Sequence, residues 1–334
     1  MDLKKYYLSS TKTLFLPVDF NDSLINLPAE TLIIKFNENI RNNIVSNFNI
    51  PISNLQFGIK EIYFGYAFNK PVDKLPSSIE IIVFGYCFNQ NVDSLPIYIK
   101  HLEFGTHFNR TVNHLPKSLT NLTFGYKFNQ SVNNLPDSLI FLKFGDQFNQ
   151  SVNMLPNSLV SLTFGYTFNQ SVNHLPKSLM SLKFGDTFNQ SVHMLPDFLM
   201  SLEFGDAFNK PVEKLPDKLK YLKFGLKFNQ SIDLIPNSVS ALHLNSNYNT
   251  EITVWSSSLK ELGLFASNDI INNIPNCIEV LQIYFEYYDV YNKNIDNIPS
   301  SVKKIIIDSP SKIKFISKIP FGCTVVDIRN NIIK

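Results

Sequence analysis

Six histidines are the first place to look for chemistry: His101, His107, His114, His174, His193 and His243. An imidazole works as a base or a metal ligand only where a nucleophile, a carboxylate or further ligands converge on it. These six occupy several different columns of a repeating pattern and meet no Cys or carboxylate cluster, so neither a metal nor a cofactor is expected. Serine recurs at Ser118, Ser138, Ser158 and Ser178 with no His-plus-acid arrangement beside it, and reads as a turn or cap residue. The glycines are spread one per repeat behind a Phe rather than gathered into a phosphate-binding loop. Catalysis is not expected of this chain. Asn-x-Ser/Thr recurs at Asn109, Asn129, Asn149, Asn169, Asn189 and Asn229, which would be glycan acceptors in a secreted protein. They fall in a column that reads as structural.

Binding is the remaining chemistry, and it would be carried where copies of the repeat differ. One varying column reads Val83, Glu103, Thr123, Lys143, Thr163, Lys183, Glu203, Lys223 and His243. The column before it includes Phe141 and Tyr221. After it comes bare Gly from Gly65 to Gly225, then Tyr66, Tyr86, Thr106, Tyr126, Asp146, Tyr166, Asp186, Asp206 and Leu226. The glycine is explained either by a bend that needs permissive φ or by close contact between repeats. The tyrosines serve either as interface anchors or as a stack between repeats. The candidate partner-binding residues are Tyr66, Tyr86, Glu103, Tyr126, Lys143, Tyr166, Lys183, Glu203 and Lys223. Charges of mixed sign suit a protein surface better than a polyanion, which would want one sign throughout. The aromatic stretch from Tyr284 to Tyr291 is a second candidate, either an interface or a cover for the last repeats.

The elements that hold these columns follow from one twenty-residue sentence. It reads LPKSLTNLTFGYKFNQSVNN from Leu115, LPDSLIFLKFGDQFNQSVNM from Leu135 and LPNSLVSLTFGYTFNQSVNH from Leu155. Such a copy is too small to bury its own apolar side chains, so a stack of copies must make the core. Around Leu122 and Phe124, inward residues alternate with Asn121, Thr123 and Gly125, the period of a short half-buried strand. Copies run in one direction, so the strands pair in parallel. Pro136 has no N–H, which excludes a continuous helix from the return side and leaves extended or 3₁₀ backbone. Phe64 to Phe224 and Phe68 to Phe228 form two aromatic columns that take eighteen of the 29 Phe residues. An Asn column from Asn69 to Asn229 runs beside them, suited to pairing bend N–H and C=O groups.

Leu14-Phe15-Leu16 starts the count of rungs, and the last three are expected at Leu281, Ile305 and Val326, sixteen in all. The expected fold is therefore mainly β, a solenoid of about sixteen short rungs with little α-helix. The chain is expected to form one solenoid over residues 1–334. Residues 1–13 are its N-terminal cap, 14–264 its repeats and 265–334 its irregular C-terminal repeats and cap. An insertion near residues 42–54 is expected to be a surface excursion.

FGxxFNQxV followed by LPxSL resembles the FNIP repeat family, whose repeats are similar to leucine-rich repeats. The likeness is strongest from Phe64 to Val239 and fades from Leu244 onward. It implies a right-handed solenoid with a concave parallel sheet, of a kind found in social amoebae and in giant DNA viruses that infect amoebae. Many relatives carry an F-box that docks on a ubiquitin ligase, for which thirteen leading residues leave no space. The expected function is a non-enzymatic scaffold for a protein partner on the concave sheet. A substrate-recognition arm of a ubiquitin ligase and a structural component of a viral particle are the alternatives.

Composition narrows the partners. Lys and Arg number 30 against 28 Asp and Glu, and only Arg41, Arg110 and Arg329 are arginines. A nucleic-acid binder would cluster such residues on one face. No run of eighteen apolar residues spans a membrane, and MDLKKYYLSSTKT is no signal peptide. Cys87, Cys277 and Cys323 are odd in number and far apart, as in a reducing compartment. A monomeric intracellular protein, cytoplasmic in its own or a host cell, is expected.

Overall fold

Each regular repeat contributes a strand of three residues whose middle side chain is buried. The computed structural model describes residues 2–37, 45–52, 55–285 and 294–334. It falls into two compact units, Met1–Gln170 with His174–Leu179, and Ser171–Asn173 with Met180–Lys334.

In the first unit the strands are β1 (Tyr7–Leu8), β2 (Thr13–Leu16), β3 (Ile33–Phe36), β4 (Glu61–Tyr63), β5 (Ile81–Val83), β6 (His101–Glu103), β7 (Asn121–Thr123), β8 (Phe141–Lys143) and β9 (Ser161–Thr163). From β2 to β9 neighbours pair in parallel, with Leu102 facing Leu122 and Leu122 facing Leu142. The second unit continues the pattern with β10 (Ser181–Lys183), β11 (Ser201–Glu203), β12 (Tyr221–Lys223), β13 (Ala241–His243), β14 (Glu261–Phe265), β15 (Val280–Tyr284), β16 (Lys304–Ile307) and β17 (Thr324–Asp327), again all parallel. Among the described residues the only helical elements are three short 3₁₀ turns, Leu3–Tyr6, Asp269–Asn272 and Pro310–Phe315. The regular return side is turn and extended chain, as its prolines require. Pro136 closes one of its turns by accepting from the Leu139 N–H at 3.1 Å.

Phe rings form the core of both units. Phe124 and Phe128 of one repeat stack at 3.6 Å between centroids and 7° between planes. Each then meets its counterpart one rung on, Phe124 to Phe144 at 5.7 Å and Phe128 to Phe148 at 6.0 Å. Burying a side chain of this size contributes about 1.5–3 kcal/mol, and Phe148 is fully buried. Beside the rings runs the asparagine ladder. The side-chain oxygen of Asn129 accepts from the Asn149 backbone N–H at 2.9 Å and from the Gln150 amide at 3.1 Å. The same bond recurs from Asn49 to Asn169 in the first unit. It returns from Asn189 to Asn249 in the second. The Ser column is structural too: the hydroxyls of Ser138 and Ser158 donate to the carbonyls of Leu119 and Leu139, each at 2.6 Å.

The glycine column is explained by close approach and not by φ. A Cβ on Gly145 would collide with the carbonyl carbon and oxygen of Gly125, whereas positive φ among the glycines is confined to Gly58 and Gly322. Both sheet ends carry antiparallel partners that blunt an open edge. β1 pairs with β2, and Val326 bridges Ile332.

Two expectations need correction. The final rung begins at Val325, which faces Ile305, and not at Val326. The Val-Val pair gave no contrast in sequence, and a slip of one residue exchanges the faces of a strand. Here the bridge to Ile332 covers Val326, leaving both valines buried. The second concerns the insertion near 42–54. Residues 42–44 and 53–54 lie outside the described ones, but 45–52 are no surface excursion. Phe48 is fully buried and stacks on Phe36 at 4.5 Å and on Phe68 at 5.9 Å. The Asn49 side chain accepts from Asn69 N–H at 2.9 Å. Phe48-Asn49 is thus the Phe-Asn of the second rung, and the extra residues fall between Phe36 and Phe48.

Two substitutions test this packing by chemical denaturation. Phe148→Ala is expected to cost about 3–5 kcal/mol. Gly145→Ala is expected to cost about 1–3 kcal/mol by overpacking against Gly125, although alanine is ordinarily no worse than glycine in extended chain. A loss below about 1 kcal/mol for the Phe variant would mean its column does not carry the core.

Candidate functional site

The outward side chains of each strand lie on one face of the sheet. In the first unit Phe141 stands out, 48 % exposed where most neighbours are short and polar. Asn121, Thr123, Ser161 and Thr163 surround it and Lys143 in a depression of about 110 Å³. Glu103 lies two rungs from Lys143 on the same column. At the end of the same strands, past the glycine, Tyr126 and Tyr166 are exposed by 46 % and 53 %. Between them Asp146 accepts from the Tyr166 N–H at 3.3 Å, which makes this acid a turn residue. Tyr66 and Tyr86 stack on each other at 4.6 Å, with planes 6° apart. The tyrosine row is therefore divided. Its first two members stack on each other although Tyr86 is still 37 % exposed, and Tyr126 and Tyr166 present more exposed rings.

In the second unit Lys183 and Glu203 are bound to each other at 2.9 Å. Lys223 lies over the Tyr284 ring at 5.9 Å. Asp206 accepts from the Leu226 N–H at 3.2 Å, repeating the role of Asp146. The nine sequence candidates thus divide as Tyr66, Tyr86, Glu103, Tyr126, Lys143 and Tyr166 in one unit and Lys183, Glu203 and Lys223 in the other.

One cluster on the second unit's sheet face was not singled out by sequence. His243 is buried, its Nδ1 2.9 Å from the Tyr284 hydroxyl and its Nε2 3.2 Å from Glu261 Oε1. Gly263 makes room for the imidazole, since a Cβ there would strike it. The hydrogen bond to His243 holds the Glu261 carboxyl below its ordinary value despite burial. Tyr221 packs at 5.2 Å from the imidazole. Burial, then the Glu203 and Glu261 charges, push its pKa up to about 12. The cluster brings together two potential metal ligands, His243 and Glu261, and no third among the described residues. Its only signal was a histidine in a column of Lys, Glu and Thr, with partners one and two rungs away that share no fixed spacing. Of the aromatic stretch Tyr284–Tyr291, residues 286–291 lie outside the described ones, whereas Tyr284 is held by His243 and Phe285 is buried. Among the described residues no group of three or more His, Cys, Asp and Glu is placed to hold a metal. None of their helices is long and apolar enough to cross a membrane.

The geometry defines a class first: a mainly β, parallel-sheet solenoid of about 15 turns, of the leucine-rich-repeat kind. Solved structures agree with it. The crystal structure of CroV588, a circular LRR protein of the giant virus CroV, superposes with a TM-score of 0.62 at 29 % identity. The match covers 96 % of this chain and 60 % of that one, so this chain spans less than two thirds of its neighbour's length. YopM from Yersinia enterocolitica WA-314 shares the fold at a TM-score of 0.54 and 17 % identity, over 93 % of this chain and 72 % of that one. More particularly, the chain carries FNIP repeats. The FNIP Repeat family matches residues 72–107, 88–127, 110–147, 128–167 and 188–227. No curated protein matches the sequence.

The Tyr221 environment gives a pH test. Its folded value of about 12 stands above the ordinary 10.0. The neutral phenol therefore supports the fold fully below pH 10, and that support is lost as pH rises from 10 to about 12. Ultraviolet titration of phenolate, compared with Tyr221→Phe, should show one fewer late-ionising tyrosine in the variant. An unchanged late phase would contradict the burial.

Proposed function

We propose that this chain is a non-enzymatic scaffold that receives a protein partner on the outer face of its parallel sheet, centred in the first unit on Phe141 and Lys143. Exposure of Phe141 carries the reading. A half-exposed apolar ring on a strand whose neighbours are Asn, Thr and Ser is the usual anchor of an interface. Lys143 and Glu103 supply charges of both signs near it, and Tyr126 and Tyr166 offer two amphipathic rings at its border. Mixed charge orients a protein or peptide surface and disfavours a polyanion. Leucine-rich-repeat-like folds commonly serve protein interaction, which supports the class of function and leaves the partner to be identified. The free thiols of Cys87, Cys277 and Cys323 support a meeting place inside the cell.

Affinity capture followed by mass spectrometry identifies the partner, and purified components then measure the contact. Phe141→Ser and Lys143→Glu should each weaken binding by roughly tenfold or more, about 1.4 kcal/mol. The melting temperature should hardly change, since exposed side chains contribute little to stability. Lys117→Glu with Lys177→Glu, on exposed return-side positions, should leave binding intact. Loss of binding in the second pair and not in the first would place the partner on the other side. Ligase subunits among the captured proteins would favour substrate recruitment for ubiquitylation, and presence in purified particles a structural role in a virion.

A further inference from the structure

The repeat breaks down at one place in the second unit, and the break opens a cavity. Phe228 stacks on Tyr248 at 6.1 Å, but the next position of that column is Asn268. Asn268 is buried and donates its amide to the carbonyls of Asn245 and Tyr248, each at 3.0 Å. Its side-chain oxygen starts the 3₁₀ turn Asp269–Asn272 by accepting from the Ile270 N–H. In the same rung Trp255-Ser256 stands where earlier copies have Leu-Pro or Ile-Pro. An amide replaces a ring in the core, and a half-buried indole replaces a buried Leu or Ile. Between them lies a cavity of about 600 Å³.

Its lining is unusual for this chain. Trp255 gives one flat apolar wall, and none of the thirteen lining residues is Lys, Arg or His. Glu251 and Asp269 present carboxylates that form no ion pair among the described residues. Asn249 uses its side-chain oxygen to accept from Asn229 at 2.6 Å, which leaves its amide hydrogens for a ligand. Asn273 and Ser246 add further side-chain donors. Tyr248 also lines the cavity. It is 2 % exposed, and its hydroxyl has no hydrogen-bond partner. Every regular rung has Phe at this position, so the added hydroxyl is a polar group the fold itself leaves unpaired, and such groups are costly.

We propose that this cavity binds a neutral polyhydroxylated ligand, a saccharide, with Trp255 stacked on the C–H face of a pyranose ring. The sugar hydroxyls would donate to Glu251 and Asp269 and accept from Asn249 and Asn273. A phosphate or carboxylate ligand would find no cation here. An amine would use the acids, which are exposed and solvated, but would leave the amide donors unanswered. A sugar, donor and acceptor at every hydroxyl, satisfies both sets and supplies an apolar face to the indole. The site is independent of the protein-binding face in the first unit.

Trp255 is the only tryptophan in the chain, so tryptophan emission, excited to the red of the 14 tyrosines, reports this cavity alone. The full chain is titrated with neutral disaccharides of glucose, galactose and mannose, with spermidine as the cationic probe and inorganic phosphate as the anionic one. At least one disaccharide should shift the emission saturably, and spermidine and phosphate should not. Tyr248→Phe restores the residue of the other rungs and removes only a buried hydroxyl, so it should hold or raise the melting temperature and leave sugar binding unchanged. Asn273→Ala should weaken it by roughly tenfold with the melting temperature unchanged. The proposal is overturned if no disaccharide shifts the emission, if only spermidine or phosphate does, or if Asn273→Ala binds sugar as the parent chain does.

Discussion

A side chain in this fold must tolerate its own copy one rung away. Parallel strands sit about 4.8 Å apart, and a twenty-residue repeat in register places each position directly over its equivalent. Only certain residues gain from meeting themselves. Phe stacks on Phe, and Asn donates its backbone N–H to the preceding Asn side chain while its own side chain accepts from the next. Gly lets backbones close to a distance that a methyl group would prevent. The motif Phe-Gly-x-x-Phe-Asn is a list of residues that pass this test, which is why it recurs with so little change.

Charge fails the test, and the chain alternates it. Like charges directly opposite each other in a sheet repel. Glu80 sits between Lys60 and Lys100, each at 2.7 Å. Hydrogen bonds from Lys100 and then Lys60 draw its carboxyl down to about 2. Glu279 repeats the arrangement between Lys260 and Lys303, and Lys183 answers Glu203 on the sheet face. Part of the mixed charge pattern that suggests a protein partner is thus already used to let the rungs approach. Phe141 and the exposed Tyr126 belong to none of these ion pairs, and for that reason they weigh more than Lys183 or Glu203 in the functional reading.

Irregular rungs are where the chain is released from self-compatibility. From Leu244 onward the constraint slackens and unlike residues meet. His243 finds Glu261 and Tyr284, Gly263 clears space for it, and Tyr248 is followed by Asn268 instead of another ring. The polar clusters with chemical character in the second unit arise there, and the family motif says nothing about them because they depend on departures from it.

By itself the sequence determined the repeat length, the parallel pairing, the two Phe columns and the structural role of Asn and Ser. Those features depend on what lies one period away, and a fixed period is visible in one dimension. Tertiary structure alone decided three things. It chose close approach over permissive φ as the reason for Gly145, because both demand glycine and only the position of the Gly125 carbonyl separates them. It put the last rung at Val325, because two adjacent valines give an alternating pattern no phase. It returned Phe48 to the core, where an insertion had hidden the period by shifting the second Phe twelve residues from the first. The cavity at Trp255 and the His243 cluster belong with these. Their members come from different rungs at unequal intervals, and only the stacking of those rungs brings them together.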